Sequence, residues 1–227
     1  SIGSNRYHFS STGALSLGWF MSDGDWYYAE PSNASGIVKT GWLKDGSQYY
    51  YLDPAVDGKM LLGHFSVNGK SYYAKGSGAV ACREWVDVQD SVQDGPSKAF
   101  AGSDCSLCGT LRNGKLFTSN GDGELVEARG FVTLGGCIFY ADPTNGSLSV
   151  GWQNVNGKWY FFDETAGYAR SGWLSKDGSW FYLDPSTYVM KTGWVAVNGY
   201  WYYLNSSGYM QTGWLNLGGT WYWLDAS

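Results

Sequence analysis

The sequence has few charged residues and only two histidines. Of its 227 residues 15% are charged, and the net charge is −5. Nucleic acids and anionic membrane surfaces both attract clustered Lys and Arg, so this acidic chain predicts neither partner. The acidic side chains mostly fall in turn segments, where Asp and Asn are favoured for local reasons. With no recognisable acid–base set, the sequence predicts that the chain is not an enzyme and needs no cofactor.

Long apolar runs are also missing. No stretch approaches the ~20 apolar residues that a membrane-spanning helix needs, so we expect no membrane insertion. Residues 1–10 are polar and lack the charged start and apolar centre of a signal peptide. We therefore expect this chain to have been cut from a longer precursor, with a fused catalytic or adhesive domain outside it.

Glycine and aromatic residues are abundant instead. The chain has 33 glycines and 13 tryptophans, and aromatics make up 18% of it. The glycine content is roughly twice the average of about 7%. Glycine permits tight turns and aromatics favour pleated, half-buried strands, so the composition predicts many short strands joined by tight turns.

A Gly-Trp pair recurs along the chain, and its spacing indicates a tandem repeat. The last four such tryptophans, at 152, 173, 194 and 214, lie 21, 21 and 20 residues apart. Each is followed by a turn dipeptide such as Asn198-Gly199 and then, seven residues after the tryptophan, by a run such as Trp201-Tyr202-Tyr203. Asn-Gly between apolar runs is a strong β-hairpin signal.

Ten such units can be counted along the sequence, and no helical periodicity is visible. Because a lone hairpin is marginal in water, each must pack on its neighbours. The sequence predicts an all-β fold, a β-solenoid of tandem ~21-residue hairpins forming a single repeat domain over 1–227. Repeats match well over 1–80 and 151–227, and they are degenerate over 81–130. The predicted units begin at Gly18, Gly41, Gly63, Glu84, Gly109, Gly130, Gly151, Gly172, Gly193 and Gly213.

The ninth unit carries a resemblance to a known family. Its Gly193-Trp194, Asn198-Gly199, Trp201-Tyr202-Tyr203-Leu204 and Met210-Gln211-Thr212 resemble the cell-wall-binding, or choline-binding, repeat. Similar repeats occur in glucan-binding regions of glucosyltransferases and in receptor-binding regions of clostridial toxins. The resemblance implies a secreted module on the wall or surface of a Gram-positive bacterium. It also implies ligand sites between consecutive hairpins, in the best-known case for choline groups of teichoic acid.

In the choline-binding branch of that family a site is a cage of two aromatics from one hairpin and one from the next, over an apolar floor. We chose the third ring by the period of two along a strand, which places Trp180 and Tyr182 on one face. The predicted cages are Trp19, Trp26 and Tyr51; Trp42, Tyr49 and Tyr73; Trp152, Trp159 and Tyr182; Trp173, Trp180 and Tyr203 with Met190; and Trp194, Trp201 and Trp223 with Met210.

Three functions remain open at this point. The chain could bind choline on a wall polymer, or it could bind a glucan or another glycan with the same rings as stacking platforms. It could also be a structural stalk, in which the rings only pack hairpins together. Methionine before Gly-Trp mildly favours a compact cage. In the middle of the chain His64, Ser71, Thr110 and Ile138 replace aromatics, so we expect cages there to be lost.

The four cysteines also lie in the middle of the chain. Cys105 and Cys108 form a C-x-x-C pair, while Cys82 and Cys137 stand alone. In an exported protein disulfides are the ordinary outcome, and free thiols are the next. A tetrahedral zinc site of all four sulfurs is a weaker alternative, because the usual second C-x-x-C is missing.

Overall fold

The structure is a computed structural model, and it describes residues 5–32, 35–88, 97–119 and 124–225. Within these ranges the chain forms β-hairpins and no α-helix, with a short 3-10 turn at Pro54–Val56. The prediction of an all-β fold of tandem hairpins is confirmed. None of the described helical segments has the length and apolarity to cross a membrane. Residue contacts divide the chain into two compact units, 1–110 and 111–227.

The first unit begins with three regular hairpins and continues into the degenerate region. We keep the repeat numbers, so hairpin 1 is β1–β2, hairpin 2 is β3–β4, hairpin 3 is β6–β7 and hairpin 4 is β8–β9. The strands are β1 Gly18–Ser22, β2 Asp25–Ala29, β3 Gly41–Asp45, β4 Gln48–Asp53, β5 Lys59–Met60, β6 Gly63–Val67, β7 Lys70–Ala74, β8 Glu84–Val88 and β9 Ser97–Ala101, and β10 Leu107–Arg112 runs through the division.

The second unit contains five regular hairpins, numbered 6 to 10, which run from β13–β14 to β21–β22. Its strands are β11 Lys115–Ser119, β12 Leu125–Glu127, β13 Gly130–Leu134, β14 Cys137–Ala141, β15 Gly151–Val155, β16 Lys158–Phe162, β17 Gly172–Lys176, β18 Ser179–Leu183, β19 Gly193–Val197, β20 Tyr200–Leu204, β21 Gly213–Leu217 and β22 Thr220–Leu224.

The turn dipeptides produce these hairpins as the sequence predicts. Asn198 and Gly199 both have positive φ, 51° and 84°, as a two-residue hairpin turn of this type requires. All predicted unit starts except one coincide with the first residue of a strand. The exception is Gly109, because β10 already begins at Leu107. Within the degenerate stretch, residues 89–96 and 120–123 lie outside the described residues.

Each hairpin buries one face against its neighbour, and this packing forms the core. In the second unit Phe161, Leu174, Phe181 and Leu183 form one buried cluster, against which Met190 packs. Burying a Leu or Phe side chain is worth about 1.5–3 kcal/mol. The hairpins are therefore stable together although each would be marginal alone.

The loops between hairpins are held by acidic side chains rather than by aromatics. Asp184 accepts hydrogen bonds from the backbone N–H groups of Ser186 and Thr187, and it forms a salt bridge with Lys191. The bond to Lys191, followed by the two backbone bonds, holds the pKa of Asp184 well below its ordinary value. The turn role predicted for such acidic residues is thus visible in this loop.

Candidate functional site

The seam between hairpins 1 and 2 holds an aromatic cavity of about 320 Å³. Trp19 and Trp26 come from hairpin 1, and Tyr50 comes from hairpin 2. The Trp19 and Tyr50 rings meet edge to face with centroids 4.7 Å apart. Met60 is buried and lines the cavity together with Ser77. This seam therefore presents three rings and one thioether to a small ligand.

The seam between hairpins 7 and 8 repeats the arrangement in a cavity of about 390 Å³. The ring centroids of Trp152 and Trp159 lie 6.5 Å apart at an interplanar angle of 83°, and Phe181 of hairpin 8 is 4.9 Å from Trp152. Trp159 is 44% exposed, so its ring is open to a ligand. The full lining comprises Trp152, Trp159, Phe181, Met190, Ser206, Ser207 and Tyr209.

In the cavities of seams 1–2 and 7–8 the third ring is not the one that the sequence analysis predicted. In hairpin 8 the structure places Phe181, and not Tyr182, against Trp152. Tyr182 instead pairs with Trp173 across its own hairpin, with ring centroids 5.0 Å apart. The period of two was right, but the seam is made by opposite faces of successive hairpins. The tryptophan face of one hairpin meets the other face of the next.

At the other seams, too, the ring that contacts the preceding tryptophan lies one residue before the predicted ring. Tyr51, Tyr73 and Tyr203 each pair across their own hairpins, with Trp42, His64 and Trp194 respectively, as Trp223 does with Trp214. The rings that contact the preceding tryptophan are Tyr50 on Trp19, Tyr72 on Trp42, Tyr202 on Trp173 and Tyr222 on Trp194.

Trp223 nevertheless lines a cavity with two other predicted residues. This larger space, about 500 Å³, lies on hairpins 9 and 10 and has Trp201, Met210 and Trp223 in its wall. Trp194 is absent from that wall, and its ring packs on Tyr222. Three of the four residues predicted for this cage are thus together.

Met190 also differs from the prediction by one seam, whereas Met210 lines a cavity with two of its predicted partners. Met190, predicted beside Trp173 and Trp180, lines the cavity of seam 7–8, and its N–H donates to the Trp159 carbonyl at 2.8 Å. The N–H of Met210 donates in the same way to Trp180. Met60 was missed by the sequence analysis, although it precedes Gly63 by three residues, as Met190 precedes Gly193.

A third hairpin completes the cavities of seams 1–2 and 7–8, and no sequence pattern predicted its contribution. The loop after hairpin 3 brings Ser77 to seam 1–2, and the loop after hairpin 9 brings Ser207 to seam 7–8. A glycine in each loop presses on the methionine below. A Cβ on Gly78 or Gly208 would lie 2.1 or 2.4 Å from the methionine sulfur. Only a glycine lets these loops approach so closely.

The seam between hairpins 2 and 3 has the rings but different surroundings. Trp42 meets Tyr72 with centroids 4.9 Å apart, and Tyr49 lies at the position of Trp159. The ammonium of Lys44 sits 5.5 Å over the Tyr49 ring, so this ring already holds a cation from the protein. Val80 replaces methionine and donates its N–H to the Tyr49 carbonyl at 2.7 Å.

Two of the four cysteines lie near that same seam. Cys82 and Cys105 form a disulfide, and Cys105 packs with Tyr72 and Val80. Cys108 is half-buried and Cys137 buried, and neither is in a disulfide. The disulfide uses two of the four sulfurs that a zinc site would need. Among the described residues, no three His, Cys, Asp or Glu side chains gather to hold a metal.

Among the described residues that line the cavities of seams 1–2 and 7–8 there is no carboxylate, histidine or lysine. His8 stacks on Phe20 at 4.3 Å, and His64 packs on Tyr73 at 4.8 Å, so both histidines pack as aromatic rings do.

Comparison with known proteins agrees with this geometry. Residues 149–190 and 191–227 match a family model described as a choline-binding repeat, and residues 18–32 and 40–55 match one described as a cell wall binding repeat. The choline binding domain of Spr1274 from Streptococcus pneumoniae is 41% identical to this chain, over 97% of that domain and 29% of this chain, with a TM-score of 0.27.

Two longer structures from Streptococcus pneumoniae are also similar. CbpJ is 28% identical over 94% of this chain, with a TM-score of 0.38. This chain spans 58% of the length of CbpJ. Choline binding protein F is 24% identical over 92% of this chain and 84% of its own, with a TM-score of 0.47. No curated protein matches the chain. On the matches to these repeat models, the chain belongs to the choline-binding, or cell-wall-binding, repeat family.

Proposed function

We propose that this chain is a non-catalytic binding module that holds choline groups of a wall polymer in the cavities of seams 1–2 and 7–8. The observation that carries the proposal is the wall of seam 7–8, in which Trp152, Trp159 and Phe181 surround a small space next to Met190. A quaternary ammonium cannot donate hydrogen bonds and has an apolar shell. Aromatic faces suit it, and each such contact is worth about 0.5–2 kcal/mol.

Weak single sites would suffice for attachment. Three aromatic contacts, less the cost of association, give about millimolar affinity at one seam. A polymer that carries many choline groups can occupy several seams, and the effective concentration of the second group then raises the overall affinity by ~10²–10⁴. Tandem repetition of the hairpin is useful for this reason.

The polymer and the setting follow from the same chemistry. A choline-bearing teichoic acid presents repeated quaternary ammonium groups, and it would place this module at the surface of a Gram-positive bacterium. The module would attach a fused catalytic or adhesive domain there. The family membership supports this setting, and the relatives with choline in their names come from Streptococcus pneumoniae.

Glycan binding is the second candidate, and one observation favours it. The cavity on hairpins 9 and 10 is broader, about 500 Å³, and it combines exposed rings with the Gln211 amide. Tyr200 and Trp201 in its wall are 70% and 66% exposed. Flat exposed rings next to hydrogen-bonding groups also suit a sugar.

Calorimetric titration with choline tests the proposal. We expect saturable binding in the millimolar range, reduced in Trp26→Ala and in Trp159→Ala. Phe131→Ala is the matched control, because Phe131 holds the Gly-Trp position of hairpin 6 and is 47% exposed. Its removal should leave choline binding unchanged. Retention on insoluble glucan without any response to choline would favour the glycan, and silence to both ligands in a folded protein would leave a structural stalk.

A further inference from the structure

A carboxylate stands beside the aromatic cavity of seam 1–2. The indole Nε1–H of Trp19 donates to Oδ2 of Asp45 at 2.9 Å. Trp19 belongs to hairpin 1 and forms one wall of the cavity, whereas Asp45 is the last residue of β3 in hairpin 2. Within the described ranges Asp45 enters no ion pair, so its negative charge is not compensated by a neighbouring Lys or Arg.

This contact affects a cation and a neutral ligand differently. A fixed negative charge attracts a cation that lies over the indole ring, and it adds to the attraction of the ring itself. A neutral molecule of the same shape gains the ring contacts and the apolar burial but nothing from the charge. Because Asp45 is exposed, solvent weakens the effect without removing it.

The equivalent position at seam 7–8 carries the opposite charge. Asp45 lies four residues after Gly41, and Lys176 lies four residues after Gly172. Each ends the first strand of the second hairpin of its seam. Lys176 is bound by Glu164, with Nζ 2.9 and 3.1 Å from the two carboxylate oxygens. This seam therefore has a compensated pair where seam 1–2 has a single anion.

We propose that Asp45 makes seam 1–2 selective for cationic ligands, whereas seam 7–8 distinguishes much less between cationic and neutral ligands of one shape. The inference rests on the proposed function, because it assigns a charge preference to the same cavities. The module would then carry two kinds of site. Seam 1–2 would recognise the charge of a trimethylammonium group, and seam 7–8 mainly its shape.

Two probes of the same shape test the proposal. Choline carries the cation, and 3,3-dimethylbutan-1-ol replaces its nitrogen with carbon. Indole N–H resonances resolve the seams, with Trp26 reporting seam 1–2 and Trp159 reporting seam 7–8. We expect the preference for choline over the neutral probe to be about three- to tenfold greater at seam 1–2, from one partly screened charge.

Asp45→Asn separates charge from positioning. The amide oxygen can still accept from the Trp19 indole, so the ring stays in place while the charge is lost. The choline preference of seam 1–2 should fall to the value of seam 7–8, and the affinity for the neutral probe should not change. Asp87→Asn, which removes an 85% exposed carboxylate in hairpin 4, is the matched control and should leave both values unchanged.

The outcomes separate this inference from the proposed function. Binding of both probes with an unchanged preference in Asp45→Asn would overturn the inference alone. Equal loss of both probes in that variant would mean that Asp45 only positions the ring, and it too would overturn the inference. If neither probe moves the Trp26 or Trp159 resonance of the unmodified protein, the proposed function fails and the inference fails with it.

Discussion

Seams 7–8 and 2–3 use the same rings in the same geometry and differ in what surrounds them. In both, a Gly-Trp indole meets the middle ring of the next hairpin, at 4.9 Å. Seam 7–8 then has Met190 under a loop glycine. Seam 2–3 has Val80 beneath Cys105, which takes the glycine's place in an equivalent loop and also has a positive φ, of 64°.

The difference teaches that ring geometry and ligand access are separate properties of the repeat. Ring contacts between consecutive hairpins recur at the regular seams, for example at seams 1–2, 2–3 and 8–9. Access depends on a few smaller positions. Lys44, the cross-strand partner of Tyr49, places its ammonium over that ring. The cross-strand partner of Trp159 is Asn154, which carries no charge. The predictions below break or sharpen this contrast, from the largest expected effect to the smallest.

The largest effect should come from removing the disulfide at seam 2–3. Replacing Cys82→Ser and Cys105→Gly together should lower the free energy of unfolding by about 2–4 kcal/mol, because the bond closes a loop with a sequence separation of 23. Denaturant unfolding measures this, with Cys108→Ser as a control that keeps the bond. A double variant as stable as the unmodified chain would show that aromatic packing alone holds this seam.

The glycine above Met190 should be the next most sensitive position. Gly208→Ala places a Cβ 2.4 Å from the methionine sulfur and strains a residue with φ of +85°. We expect a loss of about 2–3 kcal/mol in unfolding free energy. Gly199→Ala has nearly the same φ, +84°, but meets open space, so about 1–2 kcal/mol should be lost. Equal losses in the two variants would contradict the close contact with methionine.

Choline binding should depend on seam 7–8 and not on seam 2–3. Trp159→Ala removes an exposed ring of the open cavity and should weaken binding at seam 7–8 at least about tenfold, the value of one lost cation–π contact of ~1.4 kcal/mol. Tyr49→Ala removes the equivalent ring of seam 2–3 and should change the total heat of titration little. A comparable loss in Tyr49→Ala would refute the proposed difference in access.

Removing the Lys44 ammonium from the Tyr49 ring should increase choline binding at seam 2–3. Lys44→Gln removes the cation from the Tyr49 ring and should raise the affinity of seam 2–3 for choline about three- to tenfold, as one cation–π contact becomes available. The Trp42 indole resonance reports this gain during titration. Lys98→Gln, in hairpin 4, is a charge-matched control. No gain in Lys44→Gln would mean that Val80 and the disulfide, rather than the lysine, close the seam.

A smaller, pH-dependent effect is expected in the loop that carries Cys105. The side-chain bond from Lys70, with that from Ser106, lowers the pKa of Asp104 from 3.8 to about 2. A carboxyl with a lowered folded-state pKa stabilises the protein above its unfolded pKa, and this stability is lost as the pH falls from about 4 to about 2. In Asp104→Asn the denaturant midpoint of unfolding should vary less with pH over that window. A variant whose midpoint depends on pH as that of the unmodified chain does would contradict this stabilisation by Asp104.

Much of the fold could be predicted from the sequence because it is encoded locally. Turn dipeptides such as Asn198-Gly199 fix each hairpin, and the recurring Gly-Trp sets the period. The candidate site was harder, since it depends on which face of one hairpin meets the next. The period of two places Phe181 and Tyr182 on opposite faces of the strand, but it does not determine which face contacts the preceding hairpin.

The contributions from a third hairpin could not be predicted from local patterns at all. Ser77 and Ser207 are ordinary loop residues, and their place in a cavity wall follows only from how the loop folds over the methionine. The pairing of Cys82 with Cys105 was likewise one of several possibilities. In the folded chain Cys105 takes the place of the loop glycine, and this position brings it to Cys82.

A crystal structure with choline at saturating concentration tests the central claim most directly. We expect the trimethylammonium group within ~6 Å of the ring centroids of Trp152, Trp159 and Phe181, and in the corresponding place at seam 1–2. Tyr49 should still carry Lys44 and no choline. Choline bound instead against Tyr182, or choline absent from the cavities of seams 1–2 and 7–8, would contradict the account.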